Sequence, residues 1–145
     1  MSSKFNLLSI VSFRMEDLIS LHDLEAIDVS DCEVLLKSST YAIDIIVDKD
    51  GASAIYFDTS SKSPDGYNII MFLLNKRRDK LVLSRNKPET TGYSELVDSE
   101  IGSLAMHLRN AGHDILSGSK DWIRSYSWPS VKPNLEIAAL IGKGQ

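Results

Sequence analysis

Seven carboxylates crowd into residues 28–58: Asp28, Asp31, Glu33, Asp44, Asp48, Asp50 and Asp58. Two carboxyls can share acid–base work when burial and a shaped pocket push their pKa values apart. The spacing here argues for another use. Asp44 and Asp48 alternate with Tyr41, Ile43, Ile45 and Val47, and a period of two sets one group on a core and the other in water. Asp44, Asp48, Asp50 and Asp58 are therefore expected on one solvated hairpin surface, suited to attracting a basic partner. A second constellation lies at Asp121–Trp128. Alternation there puts Trp122, Arg124, Tyr126 and Trp128 on one face, and these are residue types that dominate interface hot spots. The competing reading is that the aromatics pack against a neighbouring element.

Other chemistries lack their residues. The three histidines, His22, His107 and His113, show no i, i+3 or i, i+4 pair, and Cys32 stands alone, so no zinc spacing exists. Asp48-Lys49-Asp50-Gly51 looks like part of a calcium loop. Placing Gly51 at loop position six puts Ile46 first and Phe57 twelfth, and neither side chain can bind calcium. Gly112 to Lys120 fails as a phosphate loop, because five residues separate its glycines and Ser119 intervenes before Lys120. Ser117 and Lys120 match a bare SxxK, without the companion elements of the serine acyl-enzymes. No catalytic residue, metal or cofactor is assigned. Lys76-Arg77-Arg78 reads as a solvated tip, since aromatic stacking partners are missing from its segment.

The elements that must position these residues follow from periodicity. Residues 5–13 read as a strand or a buried helical turn. Leu18, Leu21 and Leu24 favour a short helix over 15–26, and Glu33–Lys37 reads as a strand. Tyr41–Asp48 and Ala52–Asp58 form a hairpin around Gly51, which tolerates the positive φ of such turns. Pro64-Asp65-Gly66 marks a further turn. Tyr67–Asn75 is apolar on both sides and is expected as a central strand, with Leu81–Arg85 as the next. Val97, Ile101, Leu104, Ala105 and Leu108 form one helical stripe. Ser94 or Asp98 is expected to cap the start of that helix, and Gly112 to close it in a left-handed conformation. Asn134–Ile141 is a short helix or strand, and Gly142–Gln145 is expected to fray. The pattern predicts one α+β domain over residues 1–145, an antiparallel sheet of about four to six strands with one main helix packed on a face.

Size and charge bound the function. The 145 residues, 43% apolar and 25% charged, suit one ordinary globular domain. A single cysteine fits a reducing compartment. The longest apolar run, Ile69–Leu74, is far below the ~20 residues of a membrane helix. The start of the chain lacks the cleavage site of a leader. A cytoplasmic protein without a membrane partner is expected. Residues 1–58 carry 11 acidic and 4 basic side chains, whereas residues 59–145 carry 9 and 12. This acidic surplus disfavours nucleic acid as the partner and suits a basic protein.

Over residues 40–128 the chain resembles the small immunity proteins that bacteria make against their own polymorphic toxins, including those of contact-dependent growth inhibition. The resemblance rests on a strand pair with the D-x-D-G turn at Asp48–Gly51, the YFD at Tyr56–Asp58, an apolar strand after it, and a helix followed by a Trp-containing segment. It implies an inhibitor, not an enzyme, that occludes a cognate toxin domain, often a nuclease with a basic cleft. A small acidic secretion chaperone and an unrecognised small enzyme are the competing readings.

Overall fold

The computed structural model describes residues 6–48, 51–60, 65–80, 93–126, 132–133 and 135–142. The chain opens with α1 (Leu7–Arg14) and α2 (Glu16–Leu21). Asn6 starts α1, its Oδ1 accepting from the Ser9 N–H at 3.1 Å; such a cap satisfies one of the orphan donors of the first turn. Leu7, Val11, Met15 and Leu18 are buried, a single stripe at spacings of four, four and three that runs over both helices. Leu21, expected on the apolar stripe of this region, is instead 69% exposed.

Five strands follow: β1 (Glu25–Ser30), β2 (Glu33–Lys37), β3 (Tyr41–Asp48), β4 (Gly51–Asp58) and β5 (Gly66–Asn68). They pair antiparallel in chain order. The expected hairpin is present, with Tyr41 opposite Asp58 and Asp48 opposite Gly51. Gly51 has φ +124, a backbone conformation that favours glycine, and the end of the Glu100 side chain lies against it.

The segment expected as a central strand divides in two. β5 ends at Asn68, whose Oδ1 accepts from the Met71 N–H at 3.1 Å, and α3 (Ile69–Lys76) begins there. Ile69, Phe72 and Leu73 are buried while Met71 is exposed. A run in which nearly every residue is apolar hides its period, and here the asparagine cap decides for helix. The strand expected at Leu81–Arg85 lies outside the described residues.

The long helix α4 (Tyr93–Ala111) lies on the sheet with Val97, Ile101, Leu104, Ala105 and Leu108 buried, as its stripe predicts. Asp98 is not its cap; it sits inside the helix and binds Arg14 in a two-pronged ion pair, at 2.9 and 2.5 Å. Gly112 is not left-handed, with φ −116 and ψ 14. Its smallness serves packing, because a β-carbon would press on Leu108 at 3.0–3.2 Å. α5 (His113–Leu116) follows at once, then a 3₁₀ turn, Asp121–Ser125. Arg77 is no solvated tip. It grips Asp114 at 2.5 and 2.8 Å and the Ala111 carbonyl at 2.6 Å, and stacks over the Phe72 ring. It thereby ties the end of α3 to the α4–α5 junction.

All of these helices and the 3₁₀ turn contribute to one core on the first face of the sheet. The second face has its own cover. α6 (Leu135–Gly142) sets Ile137 and Ile141 against Leu35, Ala42, Ile55 and Phe57, and Lys37 Nζ reaches across to the Leu140 carbonyl at 2.9 Å. The described structure is therefore a mixed α+β fold with the middle of its sheet buried on both sides, not on one. Ile137 is fully buried, so Ile137→Ala should lower the unfolding free energy by about 2–4 kcal/mol. Denaturant titration checks this, and a loss below ~0.5 kcal/mol would mean that α6 does not seat on the sheet.

Candidate functional site

The second face determines what becomes of the carboxylates. Register places Leu35 beside Asp44 and Ile55 on its other flank, both buried in the cluster under α6. Asp44, expected in water, is consequently only 3% exposed. Glu33 begins β2 diagonally across from it and is half-buried. Burial first, then hydrogen bonding and repulsion from Glu33, drive the Asp44 pKa well above the ordinary carboxylate range. Neither Asp44 Oδ1 nor Glu33 Oε2 has another hydrogen-bond partner. Asp44 can thus keep its proton at neutral pH and donate it to the Glu33 carboxyl. Lys37 shares this face, but its ammonium is engaged by the Leu140 carbonyl.

Beyond Asp44 the face opens, and Glu33, Ile46 and Ser53 are half-buried. This end of the sheet gathers acids. The β1–β2 connection brings Asp31 and Cys32 alongside the end of β3, where the Val47 N–H donates to the Cys32 carbonyl at 2.9 Å. Asp28, Asp31 and Asp48 are exposed, and Glu100 of α4 meets Gly51 from the helix layer. No lysine or arginine lies in the described strand residues at this end, and Arg14 above it is committed to Asp98.

The other sequence candidates go elsewhere. Asp58 pairs with Tyr41, at the opposite end of the hairpin, about 23 Å away at 3.3 Å per residue. It is not a solvated surface group. Burial raises its pKa, but hydrogen bonds from Ser60 and Lys120 outweigh that and hold the carboxyl low. Lys120 also donates to the Thr40 carbonyl and the Tyr56 hydroxyl, so the lysine of the SxxK match is structural.

Asp121–Ser125 is a 3₁₀ turn, which overturns the expected alternation. Trp122 faces inward, 3% exposed, edge-on to Tyr56 at 4.9 Å and tilted to Phe72 at 5.0 Å. Tyr126 is half-buried, 5.0 Å from Tyr67, and its hydroxyl accepts from the Asn68 N–H. These aromatics pin the turn to the sheet. Arg124 remains exposed. Asp50 and Trp128 lie outside the described residues. Trp122→Ala should therefore cost about 3–5 kcal/mol of stability; unchanged unfolding with weakened partner binding would restore the interface role.

Sequence reasoning did not find a small polar cleft of about 150 Å³ at the Asp58 end of the sheet, lined by His22, Asp23, Thr40, Tyr41 and Ser117. Asp23 there holds φ 54, a region that aspartate tolerates better than most residues. His22 and His113 rings stand 5.6 Å apart, and Ser117 Oγ lies 3.4 Å from His113 Nε2. Burial and the neighbouring imidazole hold His22 below its ordinary pKa. The cleft is below the ~300 Å³ of a typical small-molecule site. His113 and Ser117 stand at i, i+4, but nothing in the sequence ties them to His22, 91 positions earlier than His113. Among the described residues, no group of three or more His, Cys, Asp or Glu side chains is placed to hold a metal ion.

These features define an α+β domain with an acidic sheet end. Compared with known protein families, curated proteins and solved structures, the chain matches none. Among the described residues, no helix is long and apolar enough to cross a membrane.

Asp44 has a direct consequence for stability. A carboxyl whose pKa is higher folded than unfolded holds extra protons in the folded state, so stability falls as pH rises from ~4 into the mildly alkaline range. His22 and His107, both held low by burial, act in the opposite sense near pH ~6.5. The comparison with Asp44→Asn isolates the carboxyl. The variant should be more stable by about 1–3 kcal/mol at pH ~8 and near parity at pH ~4, read from melts across that range. Equal stability of the two proteins at every pH would show that Asp44 ionises without cost.

Proposed function

We propose that this chain is an immunity-type inhibitor that binds a cognate bacterial toxin domain and occludes it, carrying out no reaction of its own. The partner is a basic protein domain, such as a nuclease whose cleft normally receives phosphates, and the encounter takes place in the cytoplasm. One observation carries the reading: Asp31, Glu33 and Asp48 meet at one end of the sheet, with Asp44 behind Glu33 and the exposed Asp28 on the other face nearby. Charge of one sign collected on a surface raises association rates with an oppositely charged partner and suppresses wrong partners. The resemblance over residues 40–128 and the acidic surplus of residues 1–58 support the same reading.

The contact surface differs from the one that the sequence pattern suggests. Trp122 belongs to the core and Asp58 to the far end, so recognition centres on the β1–β2 connection and the end of β3. The test uses the polypeptide encoded beside this gene. Its expression alone should arrest growth, and co-expression of this chain should restore it through a complex of the two purified proteins. Asp31→Lys with Asp48→Lys should slow association about tenfold at low salt and flatten its salt dependence, leaving dissociation little changed. A neighbour that is harmless or not neutralised overturns the toxin reading. Unaltered association by the charge-reversed protein overturns the choice of surface.

A further inference from the structure

A buried carboxyl beside a half-buried one is costly where no cation pairs with them, because the buried group loses its water, and among the described residues neither Asp44 nor Glu33 has an ion-pair partner. Asp44 is 97% removed from solvent on a face otherwise lined by Leu35, Ala42, Ile55 and Phe57. Its Oδ1 and Glu33 Oε2 are buried atoms with no hydrogen-bond partner outside the pair among the described residues. Among the described residues, other charged groups on this face or its cover are few. Lys37 on β2 donates to the Leu140 carbonyl. Glu25 on β1 stands opposite Lys37, a strand further out, and Glu136 is exposed on α6. A pair placed only for stability would have been better served by one of these cations or by apolar side chains of similar size.

The pair also has a way out. Asp44 lies between the strand residues clustered with α6 and the half-buried Glu33, Ile46 and Ser53, which lead from it to the acidic sheet end. Asp31 and Asp48 line that end in exposed positions. A cation attracted by them would meet Glu33 first and Asp44 behind it. Two adjacent carboxyls present acceptors to a planar group with several parallel donors, which is the geometry of a guanidinium more than of an ammonium.

Resting on the basic-partner reading above, we propose that Glu33 and Asp44 form a receptor for one arginine side chain of the partner. In the free protein the Asp44 proton bridges the two carboxyls. On binding, the O–H bond of Asp44 breaks and its proton passes to solvent, and guanidinium N–H groups donate to the oxygens it leaves. The outer acids govern the rate of encounter, while the inner pair selects for a side chain that can neutralise it.

The probe is a capped tri-arginine peptide, titrated calorimetrically at pH ~7 and low salt in two buffers of different ionisation enthalpy. The protein should bind it with release of about one proton per peptide, so that the heats differ between buffers and affinity rises with pH. Asp44→Asn should bind about tenfold more weakly with no proton released, and Glu33→Gln should weaken binding by a similar factor. Asp31→Lys should weaken binding but keep the proton release. The proposal is overturned by the absence of peptide binding, by heats identical in the two buffers, or by Asp44→Asn behaving as the parent. A cooperative melt confirms that each variant folds, and the two-buffer comparison on the unaltered protein decides the matter should Asp44→Asn fail to fold. Failure here with a toxin still neutralised removes the receptor and leaves the toxin reading. Success here with no neutralised toxin does the reverse.

Discussion

Covering both faces of the β3–β4 hairpin constrains nearly everything else in this fold. Tyr41, Ile43, Ile45 and Val47 point into the helix layer, while Ala42 and Asp44 point towards α6. A strand buried on one side can carry any polar residue on the other. A strand buried on both must find apolar residues or partners for every position. β3 meets that demand everywhere except Asp44. The single exception lies where the cover ends, so its desolvation is severe enough to hold a proton yet close enough to the rim to be reached.

The helix layer is held by different means from the sheet. Buried stripes on α1, α2 and α4 supply the bulk of the first core. Arginines then stitch the helices together, Arg14 to Asp98, Arg109 to Asp17, and Arg77 to Asp114. Side chains of these pairs are partly exposed, so each contributes little net stability. Their effect is on geometry: the two-pronged guanidinium fixes the mutual orientation of helices that apolar contacts alone would leave free to slide. Arg109 does this twice, binding the Arg14 carbonyl as well as Asp17.

The two ends of the sheet have opposite character. At the Asp58 end Asp58 is compensated, because Lys120 serves Asp58, the Thr40 carbonyl and the Tyr56 hydroxyl, with the Trp122 cluster packed beside it. At the Asp48 end carboxylates accumulate around the β1–β2 connection without a described cation among the strands. Structure-building interactions concentrate at the first end and acidic side chains at the second. A surface with net field of one sign attracts a partner of the opposite sign.

Much of this architecture was legible in the chain. The β3–β4 hairpin follows from strict alternation around a turn glycine, and α4 from a long stripe at 3.6-residue spacing; such patterns survive because each element buries one clear face. The acidic character of the first 58 residues needs no fold to be seen. Other features were decided only by tertiary structure. The run from Ile69 to Leu74 has no period to read, so its helix depends on the Asn68 cap and on the partners of Ile69, Phe72 and Leu73. Trp122 and Tyr126 alternate by number, but the packing of Trp122 on Tyr56 and Phe72 winds them into a turn. The environment of Asp44 was beyond any local pattern, because alternation tells which side of a strand a residue takes and not what lies over that side. α6, more than 90 positions further along the chain, supplies the cover. Burial of a charge is a property of distant elements meeting, and it alone turns an ordinary aspartate into a group that keeps its proton.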